Sequence, residues 1–144
     1  MKHISKSLEE TGEVARGFIE GLKSGDRAVV VALAGELGSG KTAFSQAVGS
    51  FLGVKETMQS PTFVIEKIYP IDFQGFKNLI HIDAYRLEKD SELLHLGWEE
   101  IIEEPENLIL IEWPEKVQGI IPNEAKKIFF GHLGDNARSI EYED

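Results

Sequence analysis

The stretch VVVALAGELGSGKTAF, Val29 to Phe44, constrains the chain more than any other. An uninterrupted apolar run from Ala28 to Ala34 leads into Gly35, Gly38 and Gly40, then Lys41 and Thr42. Glycine is costly to order and supplies no packing surface, so this cluster asks for something that must approach the backbone closely. Val29 to Leu33 is a β-branched run without polar interruption, the pattern of a strand covered on both faces in a parallel sheet. From Lys41, the apolar residues Phe44, Ala47, Val48, Phe51 and Leu52 predict a helix that stops at Gly53.

The remaining periodicities extend this unit. Leu8, Val14, Ala15, Phe18, Ile19 and Leu22 predict an amphipathic helix over residues 5–23, with Ser7 able to cap its start. TFVIEKIYPI and NLIHIDAY alternate as strands and form a plausible hairpin. SELLHLGWEEII reads as one helix capped by Asp90 or Ser91, and NLILIEW as a second strand buried on both sides. AKKIFFGHL and RSIEYE complete the chain as a final strand pair. Strands joined by helical crossovers imply an α/β three-layer sandwich with a mostly parallel central sheet, a single domain spanning 1–144. In such folds ligands sit beyond the carboxyl ends of the strands.

Composition narrows the chemistry. With no cysteine, disulfides, thiolate metal sites and a cysteine nucleophile are all excluded. The four histidines, His3, His81, His95 and His132, lack the paired spacing of a zinc enzyme. The polar amino terminus lacks a signal peptide's apolar core, and the longest apolar run falls far short of the roughly 20 residues that cross a bilayer. A cytoplasmic protein with no membrane contact is the expectation. A formal charge of -10 opposes direct binding to a phosphate backbone, but leaves room for work on a nucleic acid through a partner.

Gly35 to Thr42 satisfies GxxxxGK[ST] in full, between a strand and a helix, the context this phosphate-binding loop requires. Backbone N–H groups from Glu36 to Ala43 can turn inward to cradle phosphates, and the helix start adds its positive end. Lys41 can reach the β and γ phosphates, and Thr42 can hold Mg²⁺. Ser39 reads equally as a ligand or a simple loop residue. Such a site needs an acid on the metal side and a group that positions the attacking water. Glu112, which ends LILIE, is the first choice for the metal, and Asp83, which ends LIHID, for the water. The sequence alone allows these two roles to swap.

Thr62 in SPTF could sense Mg²⁺ and the γ phosphate as switch segments do, or simply serve the turn after Pro61. Tyr85 and Arg86 read as a recognition pair or as a core aromatic beside a surface cation. Trp113 could stack on a base or partner, or belong to the core.

GELGSGKTAF, SPTF, HIDAYRL, ELLHLGWEE and LIEWPE stand in the order and spacing of the TsaE (YjeE) family of small bacterial ATPases, which the chain resembles to about Pro122. The resemblance implies ATP and Mg²⁺ as ligands and slow hydrolysis in support of TsaB and TsaD, which form N6-threonylcarbamoyladenosine in tRNA. The tRNA would then be touched only through the complex. It also implies that Lys41 and Thr42 are phosphate and Mg²⁺ residues, that Glu112 is the metal-side carboxylate, and that Thr62, Asp83 and Trp113 lie near the nucleotide. Glu36 and Ala43 depart from the residues frequent there; Ala43 lacks a hydroxyl for the α phosphate but keeps its N–H. The rival expectation is a nucleotide-dependent interaction switch whose hydrolysis is incidental.

Overall fold

The computed structural model describes residues 1–55, 66–134 and 136–143. Strand β1 (Lys2–Ser5) precedes helix α1 (Leu8–Glu20), and β2 (Val29–Gly35) precedes α2 (Lys41–Phe51). A hairpin of β3 (Glu66–Phe73) and β4 (Phe76–Asp83) leads to α3 (Asp90–Leu94) and α4 (Trp98–Glu103). Then come β5 (Asn107–Glu112), a 3-10 segment (Pro114–Ile120), β6 (Lys126–Gly134) and β7 (Ala137–Tyr142).

The strands form one seven-stranded sheet in the order β1-β7-β6-β2-β5-β4-β3. Pairings β6–β2, β2–β5 and β5–β4 are parallel. The flanking pairs β1–β7, β7–β6 and β4–β3 are antiparallel. The α/β sandwich expected from sequence is therefore present, with its parallel character concentrated in the centre. There, β5 is buried along its whole length and β2 through Val30 to Leu33, which explains their lack of alternating polar residues.

One face of the sheet packs against α1 and α2. Val31, Leu33, Leu108, Leu110 and Ile128 meet Ala15, Phe18, Ile19, Phe44 and Val48 in one core. Phe44 lies edge-on to Phe130, with ring centroids 5.4 Å apart. The other face sends Val30, Ala32, Ile80, Ile82, Ile109 and Ile111 against Leu93, Trp98 and Val117 from α3, α4 and the 3-10 segment. Burying each of these larger side chains contributes about 1.5–3 kcal/mol relative to exposure.

Three local expectations change. The helix expected over 5–23 starts at Leu8, because residues 2–5 pair with β7, while Ser7 caps it by accepting from the Glu10 N–H. The single helix expected from Ser91 to Ile102 breaks at Gly97, whose φ of +85 suits glycine and starts a second helix. The cap of the first is Lys89 rather than Asp90 or Ser91. The Glu92 carboxylate, three residues into the helix, reaches back to accept from the Glu88 and Lys89 N–H groups, the N3 half of a capping box. Among the described residues no helix is long and apolar enough to cross a membrane.

Candidate functional site

The carboxyl ends of β2, β5 and β4 stand side by side. Register places Leu33 against Glu112 and Glu112 against Asp83, so both acids sit at neighbouring strand ends beside the glycine loop. This juxtaposition follows from parallel pairing: strands in register that run the same way present their last residues on one edge.

The loop itself requires its glycines. A Cβ at Gly35 would lie 2.7 Å from the Phe130 carbonyl oxygen and 2.7 Å from Ser39 Oγ. Gly40 has φ +107 and occupies the cap of α2 without a side-chain hydrogen bond, so the first turn of α2 receives no side-chain cap from its own cap residue. Ser39 is buried inside the loop against Gly35, and its N–H donates to the Glu36 carbonyl at 3.1 Å. Its Oγ is buried and makes no hydrogen bond among the described residues. Glu36 points to solvent.

Lys41 is buried, and its Nζ donates to the Gly35 carbonyl oxygen. The ammonium also lies 3.3 Å from the centroid of the Trp113 ring. Burial pushes its pKa down from 10.5, partly countered by the negative charges of Glu112, Glu115 and Asp83. Thr42 Oγ1 donates to Glu112 Oε1 at 3.2 Å. The other carboxylate oxygen, Glu112 Oε2, is 2.6 Å from His81 Nε2, with both side chains buried. An ionised carboxylate only accepts, so the Nε2 proton of the imidazole donates to it. Asp83 Oδ1 accepts from the Tyr85 N–H at 3.0 Å.

Trp113 takes the left-handed backbone conformation (φ 61), uncommon for a bulky residue, and turns the chain directly from β5 into Pro114. Its ring is tilted against the half-exposed Tyr85, with centroids 5.0 Å apart. Tyr85 is therefore no core aromatic. Arg86 is exposed.

A cavity of about 350 Å³ gathers Leu37, Gly38, Gly40, Lys41, Thr42, Ala43, Asp83, Glu112 and Trp113, together with Tyr85 and Arg138. The structure thus brings together nearly all the residues singled out from sequence, with Glu36 and Ser39 outside the lining. Thr62 lies outside the described residues. His81 was missed as a positioning group, although its spacing of two residues from Asp83 on a strand places both on one sheet face. Arg138 had no local signal, because only the sheet order carries β7 to the loop.

The oxygen donors suit Mg²⁺, which takes one or two protein oxygens and completes its shell with water and substrate phosphate. Thr42 and Glu112 are already within 3.2 Å of each other, and the glycine backbone would be blocked by side chains.

A profile of the threonylcarbamoyl adenosine biosynthesis protein TsaE matches residues 5–140. The tRNA threonylcarbamoyladenosine biosynthesis protein TsaE of Bacillus subtilis is 35% identical over 142 residues, covering 99% of this chain and 84% of the relative. Its counterpart in Treponema pallidum is 31% identical, covering 97% of this chain and 98% of its own length. The crystal structure of Bacillus subtilis YdiB superposes with a TM-score of 0.77 at 27% identity, covering 99% of this chain and 83% of the other. The chain belongs to the TsaE family of tRNA threonylcarbamoyladenosine biosynthesis.

Proposed function

We propose that the protein is a single-domain, cytoplasmic, Mg²⁺-dependent ATPase, slow when alone, whose hydrolysis supports TsaB and TsaD in forming N6-threonylcarbamoyladenosine in tRNA. The observation that carries this reading is the convergence of Lys41, Thr42 and Glu112 on a glycine loop at the ends of parallel strands. With a charge of -10, the protein leaves direct tRNA contact to its partners.

The backbone N–H groups of residues 36–43 hold the phosphates, and Lys41 exchanges the Gly35 carbonyl and the Trp113 face for β and γ phosphate oxygens. Thr42 and Glu112 would hold Mg²⁺, which when bound neutralises charge on those phosphates. His81 keeps one Glu112 oxygen engaged and so fixes the direction in which the other faces Thr42. Asp83 accepts a hydrogen bond from the attacking water and orients it. A water-orienting role suits phosphoryl transfer, in which catalysis is almost entirely positioning and electrostatic stabilisation.

Calorimetry with ATP and Mg²⁺ tests the binding half. Lys41→Ala is expected to weaken ATP binding about a hundredfold, near 2.7 kcal/mol, as two or so charge-assisted bonds disappear. Glu112→Gln is expected to retain nucleotide and lose Mg²⁺-dependent turnover about a hundredfold. Unchanged ATP affinity in the lysine variant would overturn the assignment. Addition of TsaB and TsaD is expected to stimulate hydrolysis; repeated product formation with a non-hydrolysable analogue would instead make hydrolysis incidental.

A further inference from the structure

Glu112 is held from two directions. Oε1 accepts from the hydroxyl of Thr42 at 3.2 Å, and both residues line the cavity. Oε2 lies 2.6 Å from His81 Nε2, in a pair sealed from solvent, the two side chains being 0% and 2% exposed. His81 reaches the acid from the neighbouring strand. β4 runs parallel to β5 with Asp83 opposite Glu112, and His81 stands two residues earlier on the same face. Among the described residues its ring makes no other hydrogen bond, and Nδ1 is buried without a partner. An imidazole so placed gives up hydration at both nitrogens and recovers a hydrogen bond at one, which calls for a reason beyond packing.

The reason lies in what remains for a cation. Each acid at these strand ends has one oxygen engaged by the protein: Oε2 of Glu112 by the ring of His81, and Oδ1 of Asp83 by the Tyr85 N–H at 3.0 Å. Among the described residues no three histidine or acidic side chains gather where they could hold a metal ion. A cation here meets few protein oxygens, and one from each carboxylate. Mg²⁺ suits such a site, because it is octahedral and fills most of its shell with water and phosphate. Ca²⁺ takes six to eight oxygens and often both oxygens of one carboxylate. For Glu112 to offer both, Oε2 would have to leave His81, and the ring would then keep no hydrogen bond at either buried nitrogen.

We infer that His81 determines metal choice: it restricts Glu112 to a single oxygen for the metal and so makes the site favour Mg²⁺ over Ca²⁺. The inference rests on the Mg²⁺–nucleotide reading and deepens it by assigning cation specificity to a side chain that touches neither metal nor phosphate. His81 is thus a positioning residue that acts through Glu112. If the ring served only to neutralise and pack a buried acid, its replacement would alter stability and the response to both cations alike.

Calorimetric titration of the full chain with a non-hydrolysable ATP analogue, in saturating Mg²⁺, in saturating Ca²⁺ and in EDTA, measures how far each cation tightens the nucleotide. The analogue's own affinity for each cation is common to all variants and cancels between them. In the wild type, Mg²⁺ is expected to tighten the analogue about tenfold more than Ca²⁺ does. His81→Gln, whose amide can overlie Nε2 and donate to Glu112, is expected to keep that ratio within about threefold. His81→Asn, whose shorter amide overlies Nδ1 and stops short of Glu112, is expected to bring the ratio to about one. Equal tightening by the two cations in the wild type overturns the proposal and needs no variant to fold. So does a wild-type ratio in His81→Asn, including one in which both cations lose equally, and so does loss of the ratio in a folded His81→Gln. A wild-type chain that binds the analogue no better in Mg²⁺ than in EDTA overturns the Mg²⁺ reading itself, a different result from one that responds to both cations without discrimination.

Discussion

The two faces of the sheet are built to different standards. The α1–α2 face carries helices of 13 and 11 residues that pack on each other and bury Phe18, Phe44, Phe130 and Tyr142 in one aromatic-rich core. The α3–α4 face carries helices of five and six residues and an irregular 3-10 segment, interrupted at Gly97 and again at Val117. The candidate site draws on both. Its glycine loop leads into α2 on the thick face through residues 40–43, whereas Tyr85 and Trp113 sit on segments of the thin face. Short elements with few buried contacts open at lower free-energy cost than long packed ones. On the proposed function, the difference gives rigidity to the groups that would bind phosphate, and freedom to the wall that would admit and release the ligand.

The largest test of this contrast is a pair of core truncations. Phe44→Ala on the thick face is expected to cost about 3–5 kcal/mol, since a buried aromatic leaves a cavity its neighbours cannot fill. That is a large share of the roughly 5–15 kcal/mol that holds a domain together. Val117→Ala on the thin face is expected to cost about 2 kcal/mol, from two buried methyl groups and a smaller cavity. Urea unfolding measures both. Hydrogen exchange should sharpen the result, with amides of the 3-10 segment opening well before those of α2. Equal costs and equal protection would show that the faces differ in appearance only.

A smaller effect reports motion of the thin wall directly. The chain has two tryptophans, and replacing the buried Trp98 by phenylalanine leaves Trp113 as the reporter. The ammonium over its ring contributes about 0.5–2 kcal/mol of attraction and alters its emission. Adding ADP to Trp98→Phe should change that emission with the same midpoint as calorimetry, and Lys41→Met should abolish the change. Emission that stays constant while ADP binds would mean that Lys41 never leaves Trp113, and that the wall is as fixed as the cradle.

Legibility followed the same division. The strand, loop and helix from Val29 to Phe51 were readable because their signals are local: an apolar run, glycines with demanding backbone geometry, and one amphipathic period. β5 was readable for the same reason, and its terminal Glu112 with it. β1 was not, because four residues, only one of them buried, are ordered by pairing with β7, almost a whole chain length away. The break at Gly97 was hidden because the apolar period continues across it and only backbone geometry reveals the turn. His81 and Arg138 belong to the site through sheet register and strand order, long-range facts that no window of sequence contains. The left-handed turn at Trp113 was likewise invisible, since its side chain gives no reason to expect positive φ.

The smallest expected effect concerns the lysine that joins the two regions. Burial lowers the folded-state pKa of Lys41, even against the pull of Glu112, Glu115 and Asp83, whereas the unfolded chain keeps the ordinary value of 10.5. Between those two values the unfolded chain binds more protons, so this group makes stability rise with pH through that window. At neutral pH the buried ammonium is therefore a cost, which disappears once the pH passes 10.5. Lys41→Met removes the titration while keeping the aliphatic stem. The stability difference between variant and wild type, followed by urea unfolding from pH 8 to 10.5, should favour the variant at the lower pH and shrink steadily as the pH rises. Subtracting one curve from the other cancels the titration of every group distant from the site. A difference that stays constant across the range would mean that the Trp113 face and the three nearby carboxylates fully offset the loss of hydration.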